Sequence, residues 1–296
     1  MAQIKLFWQS KLVLLLVLPF AAADVVLEGH WWATNAAPIA IWTLGLSLIF
    51  GLIVHRLRAA TPGAAFAGVA ITASLMFSTA TLPYQPWRTA LVPVCAVFLL
   101  SFAATRLGRD QKERLCTAER RHGRTAAQVA ANLGVAALVS NGLVQTWLGN
   151  ADWLSRASMT PTLLFALGLA ALAEAAADTV SSEIGQVLGG KPRMITTLRQ
   201  VEPGADGAIS LVGTLAGVAA AALVALAGSL ALSGGREMFL VAGTGGIFGL
   251  FFDSLLGATL ERRGWLNNDA VNFLSTASAA AFALGLLAIL LPSGAR

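Results

Sequence analysis

Long apolar stretches separated by short polar breaks recur along the whole chain. Nine of them can be delimited, at residues 10–27, 37–55, 63–82, 88–105, 125–148, 159–178, 207–232, 237–259 and 270–292. Each matches the roughly 17–25 residues that carry a helix across a bilayer, and none shows the two-residue alternation of a membrane strand. Lipid offers no hydrogen bonds to an open backbone, so helices are the element that these runs predict. The expected fold is all-α, a polytopic transmembrane bundle of about eight to nine helices. Residues 1–30 are read as an N-terminal membrane helix and 31–296 as one transmembrane domain. The opening MAQIKLFWQSKLVLLLVLPFAAAD also has the two lysines, short apolar core and AAA-D junction of a signal-like segment, and an uncleaved helix is the expected reading.

Composition agrees with the pattern. The chain is 56% hydrophobic and 12% charged, with a mean hydropathy of +0.72, against about 25% charged residues in soluble domains. A net charge of +5 raises the question of nucleic acid, but the distribution of that charge answers it differently. If all nine runs cross, one set of connections holds sixteen lysines and arginines and the other holds four. The positive-inside rule puts the richer set in the cytosol, with the N-terminus inside and the C-terminus outside. A bacterial inner membrane is the expected location. The basic stretch RLGRDQKERLCTAERRHGR (106–124) then reads as a cytosolic loop holding anionic lipid headgroups, with Arg121 and Arg124 at its end directed toward a site. Nucleic acid is not an expected partner. Cys95 and Cys116 form no CxxC pair, and His30, His55 and His122 are scattered, so neither a disulfide nor a histidine metal cluster is predicted.

Given this topology, the polar residues of the later spans fall on one face of the membrane. Gln128 and Asn132 open the fifth span; Glu174, Asp178, Ser181, Ser182 and Glu183 close the sixth. Asp206, Ser210 and Thr214 open the seventh, Asp253 sits in the cytosolic half of the eighth, and Asn267, Asn268, Asp269 and Asn272 open the ninth. A carboxylate inside a bilayer costs about 2.5–3.5 kcal/mol on insertion scales and normally faces a wet cavity or a partner. Glu174 and Asp178, spaced i, i+4, share a helix face and repel unless a cation or proton lies between them. Mg²⁺ suits such a pair, since it takes one or two carboxylates together with phosphate oxygens and water. The structural alternative is that the two acids cap a helix end or pair with Lys191 and Arg193. Asp253, with no local basic partner, favours a site.

Two glycine-rich stretches imitate nucleotide motifs. GQVLGGKP (185–192) approaches the P-loop pattern, but Pro192 replaces the hydroxyl residue and a helix precedes it where a strand is needed. AGTGGIFG (242–249) is one residue off the dinucleotide fingerprint and reads as close helix packing, as do Gly213 and Gly217. Thr214, at a helix start, is placed where free amides favour phosphate.

The segments E-x-x-x-D-T-x-x-S-E-x-G (Glu174 to Gly185), V-G-T-x-x-G (Val212 to Gly217), D-S-L-L-G-A-T-L (Asp253 to Leu260) and N-N-D-x-V-N (Asn267 to Asn272) together resemble the DUF92 family of membrane proteins. That family includes transmembrane protein 19 and the plant phytyl-phosphate kinase. G-R-x-x-x-Q-V-x-x-N (Gly123 to Asn132) is similar to the family pattern as well, and the resemblance covers about residues 55–280. Departures are Glu261, where a glutamine is expected, and Leu215-Ala216-Gly217, less glycine-rich than usual.

The resemblance implies kinase chemistry on a prenyl monophosphate lipid, with a nucleoside triphosphate donor, CTP favoured. On this chain it implies Glu174, Asp178, Glu183 and Asp253 as catalytic or Mg²⁺-holding acids. Lys191, Arg193, Ser210 and Thr214 would meet phosphates, and Gln128, Asn132, Asn268 and Asn272 would read nucleotide or order water. Membrane lipids are the further partner. A cation- or proton-coupled transporter and a lipid cytidylyltransferase are the alternatives; the clustering of polar residues at one face, with no counterpart at the other, weighs against transport.

Overall fold

In the computed structural model, residues 6–115, 123–150 and 161–290 are described; Lys5, Cys116, Arg120, Arg121, His122, Arg156 and Arg296 lie outside them. The described residues form eleven α-helices: α1 (Phe7–Asn35), α2 (Ala37–Arg56), α3 (Pro62–Ser78), α4 (Leu91–Arg106), α5 (Arg109–Arg114), α6 (Ala126–Ser140), α7 (Gly142–Gly149), α8 (Pro161–Leu188), α9 (Leu211–Ala231), α10 (Gly235–Leu256) and α11 (Asn268–Leu290). Six of these are long and apolar enough to cross a membrane. The pair α6 and α7, bent by 54°, passes the same test together, and α3 and α4 are shorter apolar helices. The all-α polytopic bundle read from the sequence is therefore the observed architecture.

The bundle is built around α8. Of its most apolar stretch 89% is buried, against 22–39% for the other five long helices. It is surrounded by α4, α6, α9, α10 and α11. Small residues make this possible. A β-carbon at Gly213 would stand 2.6 Å from the Ser181 carbonyl, one at Gly217 2.8 Å from that of Ala177, and one at Gly246 2.7 Å from the Ala173 β-carbon. Gly245, Gly246 and Gly249 of the second nucleotide-like stretch, with Gly213 and Gly217 of α9, thus serve close helix approach, the packing that replaces hydrophobic drive in lipid, whereas Gly190 of the first stretch turns the chain at φ +65° with nothing within 4 Å of its β-carbon position. Around the rim, large apolar side chains such as Leu15, Val26, Ile41 and Phe66 face outward. Trp8 and Trp31 on α1 are both exposed; at 1.5 Å per residue they stand roughly 35 Å apart, the separation of two membrane interfaces.

Three departures from the expected spans have local causes. The fifth breaks at Asn141, whose extended backbone ends α6 while its side chain accepts from the Leu143 amide at 2.9 Å and starts α7. The sixth does not end near Asp178; α8 runs on to Leu188, so Glu174 and Asp178 sit inside a helix and do not cap one. The eighth ends in a π turn, Gly257–Glu261. Between α8 and α9 a short antiparallel pair, Arg193–Met194 with Ala208–Ile209, folds the connecting loop back under the bundle. Gly207 in that loop has φ +73°, and any β-carbon there would collide with the backbone of Ala258. The loop is thereby pressed against the π turn.

α1 passes through the AAA-D junction without interruption and is held at its start by α11. Gln9 donates to the Trp265 carbonyl at 2.8 Å and accepts from the Asn267 amide at 2.8 Å, while Ser10 donates to Asp269 at 2.5 Å. Asp269 and Asn267, which the sequence places among the cytosolic polar residues, are thus used to dock α1.

Candidate functional site

The end of the bundle that carries the C-terminus of α8 and the N-termini of α9 and α11 encloses a polar cavity of about 240 Å³. Asp178, Asp253, Asp206 and Glu261 all line it, with Ser210 and Asn268 at its wall. Asp178 of α8 and Asp253 of α10 stand on the wall of the same cavity, close enough for the two carboxyl groups to act on one another. Glu174 lies one turn deeper, 1% exposed, against Gly249 and beside Ser275. Both its oxygens are buried without a hydrogen-bond partner, as is Oδ2 of Asp253; the Ser275 hydroxyl donates instead to the Asn272 carbonyl at 3.0 Å. Any side chain at Gly249 would overlap Glu174 Cγ, so that glycine makes the room Glu174 occupies.

Unpartnered buried carboxylate oxygens are expensive, and like charges a turn apart add to the cost. The donor set is all hard oxygen, which fits Mg²⁺ or a similar cation. Among the described residues no group of three His, Cys, Asp or Glu is disposed as a ready-made metal site. An ion held here would therefore keep one or two carboxylates and complete its shell with water or phosphate oxygen, the usual habit of Mg²⁺. Outside the membrane-spanning segments, burial pushes the Asp206 carboxyl above its ordinary range and the nearby Arg262 pulls it back.

Several residues expected at this site are occupied elsewhere. Glu183 forms an ion pair with Lys112 at 2.5 Å and accepts from Thr105 at 3.2 Å. The Lys112 ammonium, buried on α5, also donates to the Ala104 and Thr105 carbonyls, at 2.8 and 3.3 Å. Glu183 therefore locks α5 and α4 to α8, and its carboxylate is spent on an ammonium instead of a metal. Gln128 completes a capping box at the start of α6, its Oε1 accepting from the Thr125 amide at 2.7 Å; it does not line the cavity. Lys191 is exposed, and Arg193 donates to the Leu198 carbonyl at 2.8 Å to hold the hairpin, so neither stands on the cavity wall. Thr214 is likewise off the wall, while Ser210 caps α9 by accepting from the Gly213 amide at 3.1 Å. Asn272 donates to Asn132 at 3.3 Å, joining α11 to α6 behind the acids.

Glu261 and Asp206 are the acids that sequence reasoning left out of the site. Glu261 is swung onto the wall by the π turn, a distortion that recurs at functional sites; Asp206 arrives with the folded loop. Arg124 brings a positive charge beside Asp178, donating at 3.1 Å to Thr179, the next residue along α8.

At the opposite end the structure corrects an expectation. A buried polar cluster does exist there: Asp24 on α1 accepts from Ser74 of α3 and from Asn141, each at 2.5 Å, with Glu28 nearby. Its two oxygens are both satisfied. Between the two ends, Leu163 to Ala173 of α8 run through a continuous apolar core with Val135, Ala136 and Val224.

A multi-pass membrane protein with an acid-lined cavity at one end of its helices is what fold and site define. The model of the family described as "Integral membrane protein DUF92" matches residues 45–280. The chain belongs to that family. It is 49% identical over 108 residues to an uncharacterized membrane protein of Methanocaldococcus jannaschii, a match covering 36% of this chain and 45% of that one. An uncharacterized membrane protein of Synechocystis is 34% identical over 68% of this chain and 74% of its own. Protein VTE6, chloroplastic, of Arabidopsis thaliana is 29% identical over 83% of this chain and 68% of its own. No solved structure matches the chain.

Proposed function

We propose that the protein is a prenyl-phosphate kinase, working at the cytosolic face of a bacterial inner membrane with CTP as the favoured donor. The observation that carries this is the convergence of Asp178, Asp253, Asp206 and Glu261 on one cavity, with unpartnered carboxylate oxygens behind it on Glu174 and Asp253. The likeness to DUF92 proteins and to VTE6 supports the substrate class.

In the reaction, an oxygen of the acceptor monophosphate attacks the γ-phosphorus, and the bond to the β–γ bridging oxygen breaks to release the nucleoside diphosphate. The acceptor is already ionised near neutral pH, so no strong base has to remove a proton. Asp178 and Asp253 would hold Mg²⁺, with Asp206 and Glu261 reaching its water shell. Bound there, Mg²⁺ supplies charge to the transferring phosphates. Glu174 would set the field behind the pair from its buried position. Arg124, tied to Thr179, holds a positive charge beside Asp178 for the incoming phosphate. Ser210, on the cavity wall at the start of α9, would bring a nucleotide phosphate toward that helix's N-terminus.

The test is purified protein with Mg²⁺, labelled CTP or ATP, and a panel of prenyl alcohols and monophosphates. Label in a prenyl diphosphate is the expected result. Release of pyrophosphate with formation of a CDP-lipid would make the protein a cytidylyltransferase; absence of turnover together with cation uptake in proteoliposomes would make it a transporter.

A further inference from the structure

A second chamber, larger than the acidic cavity at about 440 Å³, opens between α2, α3, α4 and α6 at the same end of the bundle. Its depth is apolar, walled by Phe50, Val54, Val94, Val97, Phe98 and Phe102. The rings of Phe50 and Phe98 meet edge to face at 5.5 Å, and Phe98 leans on Phe102. Its mouth is cationic, with Arg58, Arg106, Arg109 and Arg124 on the rim. Arg109 is paired with Glu113 at 3.0 Å. Arg58 and Arg106 have no carboxylate partner among the described residues, Arg106 lying over the Phe102 ring and donating to the Leu57 carbonyl at 2.9 Å.

Two features show that this rim is built. Arg58 has φ 56°, the left-handed position that ends α2 and that glycine usually fills, so an arginine is held there at a backbone cost. Arg124 is clamped beside it: its amide donates to Ala59 at 2.9 Å, its carbonyl accepts from Thr61 at 3.0 Å, and Gly123 at φ +77° passes too close to Ala59 to carry any side chain. The same Arg124 donates to Thr179, the residue after Asp178 on α8, and Asn132, hydrogen-bonded to Asn272, lines the chamber too. The chamber's rim is thus contiguous with the acids.

We propose that this chamber is the acceptor site: it takes the tail of a single-chain prenyl monophosphate between α2, α3 and α4, with Arg58, Arg106 and Arg124 on the phosphate. The proposal rests on the kinase reading above for the class of acceptor and adds where and by which residues it is held. An apolar interior excludes the nucleotide, and a volume toward the small end of the roughly 300–1,000 Å³ of ligand pockets favours one branched chain over two acyl tails. Arg124 then faces the acceptor phosphate on one side and the acidic cavity on the other, so the two substrates meet at α8.

The experiment is photo-crosslinking of the full-length protein in detergent with geranylgeranyl monophosphate carrying a diazirine at its tail end, without nucleotide. Label is expected on peptides of α2 and α4, displaced by unlabelled geranylgeranyl monophosphate and far less well by geranylgeraniol or phosphatidic acid. A side chain at Gly68 meets nothing within 4 Å at its β-carbon, so Gly68→Phe should fill the chamber and abolish the label. Arg58→Gln, at an exposed position, should weaken displacement by about tenfold, the loss of one charge-assisted hydrogen bond, without moving the label. Label elsewhere, or equal displacement by the alcohol, overturns the chamber. A protein that makes prenyl diphosphate but labels elsewhere loses the chamber alone. One that labels here yet makes no diphosphate retains the chamber and loses the kinase reading.

Discussion

The bundle buries carboxylates at both ends, and the two sets differ in one respect. Asp24 has both oxygens filled, by Ser74 and by Asn141. Glu174 has neither filled, and Asp253 leaves Oδ2 bare. A saturated buried acid is a fastener: it costs little in place and ties α1 to α3 and to the kink after α6. An unsaturated one, on helices already packed through glycine and alanine, ties no helices together by hydrogen bonds, and the kinase reading proposed above gives it a ligand to bind. The apolar stretch of α8 between the two ends also separates them, which disfavours a polar path across the bundle.

Breaking the open end should give the largest effect. Asp178→Asn and Asp253→Asn keep shape and remove charge, and each should lower prenyl-phosphate turnover by about 100-fold or more, the scale of losing a charge-stabilising group. Both proteins should remain monodisperse in detergent with unfolding temperatures near the parent's. Full turnover in both would remove the acidic cavity from the chemistry. At the closed end the same type of change should do the reverse.

Next in size is Glu183, which the sequence groups with the site and the structure gives to Lys112. Glu183→Ala strands a buried ammonium and should cost about 3–5 kcal/mol of stability. The double change with Lys112→Met should recover most of it, read by thermal unfolding in detergent. If Glu183→Ala instead leaves stability intact and abolishes turnover, the acid belongs to the metal set after all. Asp24→Ala should cost about 1–3 kcal/mol by orphaning Ser74 and Asn141, with turnover per folded molecule retained. A turnover loss there, at unchanged stability, would sink the distinction between the two ends.

Lipid made much of this molecule legible before any coordinates. Helix length is dictated by bilayer thickness, so a helix or bent helix pair stands near each of the nine expected runs, six of them, or seven with the bent pair, long and apolar enough to cross, and the lysine and arginine imbalance groups Glu174, Asp178, Asp253 and Asn268 at one level. What stayed hidden depends on pairings that local sequence does not encode. Ser74 and Asn141 lie 50 and 117 residues from Asp24, so the acid of AAA-D looked like part of a cleavage-like junction. Glu183 has its partner on α5, across the bundle, while Lys191 is close in sequence and apart in space. Glu261 reaches the cavity through a π turn, for which a helical wheel has no place; the signal available was that it stands where the resemblance leads one to expect a glutamine.

The smallest effect tests the same contrast in a residue that changed role. Gln128 was expected to read nucleotide, yet its amide oxygen is satisfied by the Thr125 amide in a reciprocal cap. By the saturation argument it is a fastener. Gln128→Ala should then cost about 0.5–1 kcal/mol, as should Thr125→Ala, because each frees a donor at the start of α6. The pair should be non-additive in a double-mutant cycle, since either change alone already opens the box. Turnover and the Michaelis constant for CTP should stay close to the parent's in both. A rise in that constant on Gln128→Ala but not on Thr125→Ala would mean that the side chain leaves its cap to meet the nucleotide, and that a filled hydrogen bond in the resting protein is not enough to tell a fastener from a ligand.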